Sequence, residues 1–132
     1  MIGVDTNVLV RVLVSDSPDQ TQAALRFLEA RTSADPAFVS TVVLIEMVWV
    51  LQRSYGYADE AVLAAVESLL DSANVEVEHA DMVQTAWNTA RDRKADFADC
   101  LIGAIAVEAG AEKTVTFDRK AAKRVPGMEL LA

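Results

Sequence analysis

The chain opens with Met-Ile-Gly-Val-Asp-Thr-Asn, residues 1–7, a short apolar run that ends in three polar residues. The run Met1 to Val4 predicts a buried strand, and the polar residues after it supply capping groups for a helix. In open α/β sheets, ligands gather where strands end and lead into helices, and Asp5 stands at that position. This stretch therefore predicts an α/β fold with a carboxylate at its ligand-binding edge.

The same succession of short strand and helix continues along the chain. Further strands are predicted at 37–40, 75–77, 114–117 and 128–131, and further helices begin at or are capped by Ser17, Thr41, Asp59, Asp81 and Phe97, with a helical turn at 119–123. Because helices connect about five short strands, we expect a central, mainly parallel sheet.

Length and composition favour one ordered domain. The chain has 132 residues, of which 52% are hydrophobic and 24% are charged, which suits a single domain spanning 1–132. The longest apolar run, Val42 to Leu51, is interrupted by Glu46 and is too short to cross a bilayer. No secretory signal precedes the first strand, and Cys100 is the single cysteine, so we expect a reduced, cytoplasmic protein without membrane insertion.

The charge balance bears on possible partners. A net charge of -8 argues against a nucleic-acid partner, since affinity for phosphate backbones comes largely from Lys and Arg. Eight of the twelve basic residues, however, lie between Arg91 and Arg124, whereas the segment 59–81 holds seven acids and no Lys or Arg. One cationic and one acidic face are therefore expected.

Four acidic residues interrupt apolar stretches at separate points of the chain: Asp5, Glu46, Asp99 and Asp118. An ionised carboxylate loses several kcal/mol on leaving water unless a positive or hydrogen-bonding group replaces the solvent. Oxygen ligands without histidine or cysteine suit Mg²⁺ or Mn²⁺ and suit Zn²⁺ poorly. The set predicts a divalent metal site for phosphate chemistry.

Each acid also has a structural alternative. Asp5 and Asp118 are placed to cap helices, and Asp96 forms a capping pattern with Asp99. For Glu46 the alternative is a buried ion pair with Arg11 or Arg53. Four further side chains, Arg119, Lys120, Lys123 and Arg124, form either a solvated helix face or a phosphate contact beside Asp118.

Taken together, Val-Asp-Thr-Asn near the N-terminus, Glu46 in an apolar helix, Asp-Phe-Ala-Asp-Cys-Leu-Ile-Gly-Ala and Thr-Val-Thr-Phe-Asp resemble a PIN domain of the VapC toxin kind. The resemblance spans the whole chain. It implies a three-layer α/β/α fold, and a Mg²⁺-dependent endoribonuclease in which Asp5, Glu46, Asp99 and Asp118 match the acidic quartet.

The resemblance implies further roles and partners. Asp96 matches an additional acid of some members, and Thr6, Asn7 and Thr116 match polar positions that orient the acids or a water. It also implies a homodimer and a cognate VapB-like antitoxin that presents an arginine to the acidic pocket. The helix from Val42 to Ser54, apolar on nearly every side, independently suggests a dimer contact.

Two other functions fit parts of the pattern. An Asp-nucleophile phosphatase would use Asp5, but Asn7 stands where that pattern needs a second aspartate. A non-catalytic dimerisation or binding module would use the acids as helix caps only. The first predicts a trapped phospho-aspartate, and the second predicts no metal binding.

Overall fold

The computed structural model describes residues 1–132. They group into two compact units, the N-terminal unit Met1–Ala80 and the C-terminal unit Asp81–Ala132. Each unit builds its own parallel strands and its own set of buried side chains.

The N-terminal unit holds three strands and four helices. They are β1 (Ile2–Gly3), α1 (Thr6–Leu13), α2 (Pro18–Glu29), β2 (Ala37–Val39), α3 (Thr41–Tyr55), α4 (Asp59–Asp71) and β3 (Val75–Val77). The strands lie in the order β1-β2-β3, with Ile2 opposite Ala37 and Ala37 opposite Val75, and every pairing is parallel. All three strands therefore end at the same edge, where Asp5 follows β1.

Helix α3 supplies four fully buried side chains to the core of this unit. Its fully buried side chains recur at helical spacing: Leu44, Met47, Val48 and Leu51. The Ser40 hydroxyl accepts a hydrogen bond from the Val43 backbone N–H at 3.2 Å, and Gly56 ends the helix at a φ of 65°, which glycine adopts without strain. The opposite stripe stays in water, with Val42 78% and Trp49 42% exposed.

The C-terminal unit continues with α5 (Ala80–Arg93), which begins at the boundary, then α6 (Phe97–Glu108), β4 (Thr114–Thr116), α7 (Arg119–Arg124) and β5 (Met128–Leu130). Strands β4 and β5 pair in parallel, with Thr114 opposite Met128. At Gly103 a Cβ atom would meet the Val125 side chain at 3.2 Å, so glycine lets α6 approach the end of α7 closely.

These elements confirm the predicted α/β class with five short, parallel strands connected by helices. The strands are divided between a three-stranded and a two-stranded sheet. The three-layer arrangement and the single domain over 1–132 stay predictions. No helix is long and apolar enough to cross a membrane.

Two predicted caps were wrong. Ser40, not Thr41, caps α3, because the helix already begins at Thr41 and the Ser40 hydroxyl accepts the hydrogen bond from the Val43 N–H. Asp81 lies inside α5, which begins at Ala80. It does not cap the helix, but its negative charge in the first turn interacts favourably with the helix dipole.

Candidate active site

In the C-terminal unit, two of the predicted acids are held by helix ends. Asp96 Oδ2 accepts a hydrogen bond from the Asp99 N–H at 3.0 Å at the start of α6. Asp118 Oδ1 accepts one from the Ala121 N–H at 2.9 Å at the start of α7. The capping alternative is correct for both residues, and each cap fixes the carboxylate relative to its helix.

Asp99 has no capping role. It lies in the first turn of α6 and is half-buried. Burial raises the pKa of Asp99, and the negative charges of Asp96 and Asp118 raise this pKa further. Three carboxylates therefore share one region of negative potential, which a cation would relieve.

In the N-terminal unit, Asp5 caps α1. Asp5 Oδ1 accepts a hydrogen bond from the Thr6 N–H at 2.8 Å, and the side chain is otherwise exposed to water. The capping alternative is thus correct for Asp5 as well. Since only Oδ1 is used by the cap, Asp5 keeps its second oxygen for another ligand.

Glu46 is exposed on the water-facing stripe of α3. It forms no ion pair with Arg11, which contacts Asp16 and Gln20, nor with Arg53, whose guanidinium lies 5.3 Å from the Trp49 ring centroid. The buried-pair alternative for Glu46 is therefore wrong. The premise that all four acids leave water is also wrong, since only Asp99 is partly withdrawn from it.

The predicted accessory residues make different contacts. The Thr116 hydroxyl oxygen accepts a hydrogen bond from the Asp118 N–H at 3.0 Å, so Thr116 fixes the backbone of that acid. Thr6 is 3% exposed, and its hydroxyl has no hydrogen-bond partner. A buried unsatisfied hydroxyl costs about 1–3 kcal/mol, so this group beside Asp5 is available to a water or ligand.

Only three of the four basic side chains predicted on α7 are exposed to solvent. Arg119, Lys120 and Lys123 are exposed on α7. Arg124 is half-buried and donates a hydrogen bond from Nη1 to the Lys94 carbonyl at 2.7 Å. Arg124 therefore has a structural contact, whereas the other three side chains are exposed to solvent.

A cleft beside Asp5 was missed by sequence reasoning. It has a volume of about 450 Å³ and is lined by groups from β1, α1 and α2, among them Asp5, Asn7, Arg11, Gln20 and Phe27. Arg11 follows Asn7 by one helical turn, so the spacing of the two polar residues on α1 was the available signal. The part of the cleft wall that α2 supplies depends on how the helices pack, so the sequence alone did not reveal it.

Cys100 offers no alternative chemistry. It is 3% exposed on α6, and burial raises the pKa of its thiol to about 11. Because the thiolate is the reactive form, this cysteine packs in the core and does not act as a nucleophile.

The donor set fits a hard cation. Within neither unit do three or more His, Cys, Asp or Glu side chains form a group that holds a metal ion. Magnesium in proteins uses one or two carboxylates and takes its other oxygens from water and phosphate. Within the C-terminal unit, Asp99 and the two carboxylates whose charges act on it, Asp96 and Asp118, supply oxygens of this kind.

The chain is similar in sequence to proteins of a known family. The chain matches the sequence model of the PIN domain over residues 2–127. It is 28% identical over 117 residues to a VapC ribonuclease of Aquifex aeolicus (strain VF5), covering 89% of this chain and 87% of that protein. A crystal structure of Mycobacterium tuberculosis VapC20, a sarcin–ricin loop cleaving toxin, shares 24% identity and a TM-score of 0.45, covering 93% of this chain and 94% of the other.

The PIN match extends over nearly the whole chain, from β1 to the turn before β5. The motifs that carried the resemblance, from Val4 to Asp118, all fall inside it. The chain therefore belongs to the PIN domain family, and the resemblance seen in its sequence is confirmed.

Proposed function

We propose that the chain is a Mg²⁺-dependent endoribonuclease of the VapC type, inhibited by a cognate VapB-like antitoxin. Mn²⁺ is the alternative ion, and the cytoplasm is the compartment that holds its RNA substrate. The position of Asp99, half-buried and beside the negative charges of Asp96 and Asp118, carries this proposal, because acids in such surroundings cluster at functional sites. PIN family membership and the similarity to a VapC ribonuclease support it.

Asp5, Glu46, Asp99 and Asp118 would hold the metal. When bound, Mg²⁺ supplies Lewis-acid chemistry that polarises the phosphate and makes water more acidic. Asp96 positions Asp99 by capping α6, and Thr116 positions Asp118 through its backbone N–H. These contacts hold the carboxylates in place before the substrate arrives.

The overall reaction is hydrolysis of a phosphodiester. Water adds to phosphorus, the bond from phosphorus to the 3′ oxygen breaks, and the proton lost by water is balanced by the one taken up by the leaving oxygen. The products are a 5′-phosphate and a 3′-hydroxyl. Glu46 is exposed and unpaired, so it is available to orient the attacking water or a second ion.

The rival functions explain less of the site. A non-catalytic module accounts for the caps made by Asp5, Asp96 and Asp118. It gives no reason for Asp99, whose charge is disfavoured by burial and by its neighbours. The phosphatase alternative still lacks its second aspartate, since Asn7 occupies that position.

A net charge of -8 supports the proposed antitoxin, since an acidic toxin attracts a partner that presents arginine. The exposed side chains of Val42 and Trp49 on α3 support a homodimer, because large apolar side chains exposed together favour association. Sedimentation velocity should therefore show a dimer that Val42→Glu weakens. An unchanged sedimentation coefficient in that variant would remove α3 from the interface.

The direct test of the function is cleavage of a mixed RNA pool with and without Mg²⁺, by the partner-free protein and by Asp99→Asn. Cleavage should require Mg²⁺ and should fall on the order of a thousandfold in Asp99→Asn, because the metal contributes several kcal/mol to the transition state. Glu112→Gln removes the same charge from an exposed site and serves as the control. Cleavage in EDTA, or wild-type rates in Asp99→Asn, would contradict the proposal.

A further inference from the structure

The cleft beside Asp5 is large enough to hold part of a substrate. Its volume of about 450 Å³ lies within the range of small-ligand sites, roughly 300–1,000 Å³. Asp5 is one of its lining residues, together with side chains of α1 and α2. Whatever fills the cleft therefore lies next to Asp5, a proposed metal ligand.

Arg11 is the one basic side chain that lines this cleft. Its Nε donates a hydrogen bond to Gln20 Oε1 at 2.6 Å, and its Nη1 is 3.4 Å from Asp16 Oδ1, a long contact. Nη2 donates no hydrogen bond. The guanidinium is thus held in position on one side and keeps donors available on the other.

The remaining walls suit a nucleotide. Asn7 and Gln20 provide amide groups, which hydrogen-bond to base edges. Phe27 is a half-buried ring whose position is supported by Arg31, 4.8 Å from the ring centroid. An aromatic ring and a guanidinium that line one cleft suit single-stranded nucleic acid, with a base against the ring and a phosphate at the cation.

We propose that this cleft binds the RNA strand adjacent to the scissile phosphate, with Arg11 contacting a backbone phosphate and Phe27 contacting a base. The assignment rests on the proposed nuclease function and adds two substrate-positioning residues outside the acidic quartet, Arg11 and Phe27. A base stacked inside a duplex is not available to an aromatic wall, so the cleft selects unpaired strands.

The test is steady-state cleavage of a single-stranded RNA by Arg11→Gln. The KM should rise about tenfold while kcat changes less than about twofold, because a phosphate contact away from the reacting atoms contributes to binding. Arg11→Lys keeps the charge but lacks the planar donors, so its KM should lie between those of the wild type and Arg11→Gln. Arg26→Gln, an exposed arginine of α2 outside the cleft, is the charge-matched control.

A second variant separates binding from a structural role of Arg11. Asp16→Asn removes the ion-pair partner of Arg11 but keeps the guanidinium, so its KM should be unchanged or lower. A KM that rises as much in Asp16→Asn as in Arg11→Gln would make Arg11 a structural residue and overturn the proposal. An unchanged KM in Arg11→Gln would overturn it directly.

Binding measured without catalysis distinguishes failure of the cleft from failure of the nuclease. Fluorescence anisotropy of a labelled single-stranded RNA in EDTA should show weaker binding by Arg11→Gln, with a slope of log K against log[salt] smaller by about 0.7. If the wild type cleaves no RNA, this binding difference still decides the cleft. Equal affinities and slopes in wild type, Arg11→Gln and Arg26→Gln would overturn the proposal.

Discussion

The two units of this chain hold their acidic residues in opposite ways. In the N-terminal unit Asp5 and Glu46 are exposed to solvent, and Arg11 lines the same cleft as Asp5. In the C-terminal unit burial raises the pKa of Asp99, and the charges of Asp96 and Asp118 raise it further, so Asp99 is the crowded acid. A solvated carboxylate costs the fold little, whereas a crowded one opposes folding. Asp99 is therefore the acid whose position a purely structural role explains least.

The largest expected effect tests whether the solvated acids matter as much as the crowded ones. Asp5→Asn should lower RNA cleavage on the order of a thousandfold, the same loss as Asp99→Asn, because both remove a proposed metal ligand. The amide retains an oxygen that accepts the Thr6 N–H, so α1 should keep its cap.

Asp19→Asn, an exposed acid in the first turn of α2, is the control for Asp5→Asn and should cleave at the wild-type rate. Initial rates on one RNA substrate compare the three proteins. Near-wild-type cleavage by Asp5→Asn would confine the chemistry to the C-terminal unit.

The next effect compares the two cores. Leu44 and Leu101 are fully buried, one in each unit, and each Leu→Ala change should lower the free energy of unfolding by about 2–5 kcal/mol. The single-domain prediction requires both variants to lower one shared transition in urea. Two transitions, each moved by only one of the variants, would show that the units unfold independently.

Much of the local structure was predictable because it is decided by neighbouring residues. Asp5 and Asp118 cap their helices through contacts within three residues, and Gly56 ends α3 where the apolar pattern stops. The strand positions followed from short apolar runs between polar turns. Such signals need no knowledge of distant parts of the chain.

What the sequence left undecided depends on long-range packing. Glu46 shares a solvent-facing stripe with Val42 and Trp49, and the apolar composition of α3 hid which stripe would face the core. The division of five strands into two sheets is likewise a matter of distant pairing. The cleft beside Asp5 was missed because Gln20 and Phe27, which line it, belong to another helix.

A smaller effect concerns the edge of the N-terminal sheet. The hydrogen bond from the Thr41 N–H lowers the pKa of Glu78, so the ionised form stabilises the start of α3. Glu78→Ala should lower the free energy of unfolding by about 1 kcal/mol at neutral pH. Because the folded pKa is lowered, this contribution is present above the ordinary glutamate pKa and is lost as pH falls through the folded one.

Urea unfolding at neutral and acidic pH checks the role of Glu78. Glu76→Ala, an exposed change on β3, should have little effect and serves as the control. If Glu78→Ala were as stable as Glu76→Ala at neutral pH, the hydrogen bond between Thr41 and Glu78 would not stabilise the fold.

The smallest effect is the stability cost of the crowded acids. Because the folded pKa of Asp99 is raised, its contribution is most favourable below the ordinary aspartate pKa and is lost as pH rises through the folded one. Asp99→Asn should therefore melt at a higher temperature than wild type at pH 7 in EDTA, with a smaller difference at acidic pH. Calorimetric melting temperatures across this range provide the check, and a difference that does not grow with pH would contradict the crowding.

The central claim of the proposed function is that Asp5 and Asp99 each act as a Mg²⁺ ligand, and titration calorimetry with Mg²⁺ tests it most directly. Wild type should bind Mg²⁺, and both Asp5→Asn and Asp99→Asn should lose most of that affinity, while Glu112→Gln keeps it. Wild-type affinity in Asp5→Asn, or no Mg²⁺ binding by the wild type, would contradict the claim.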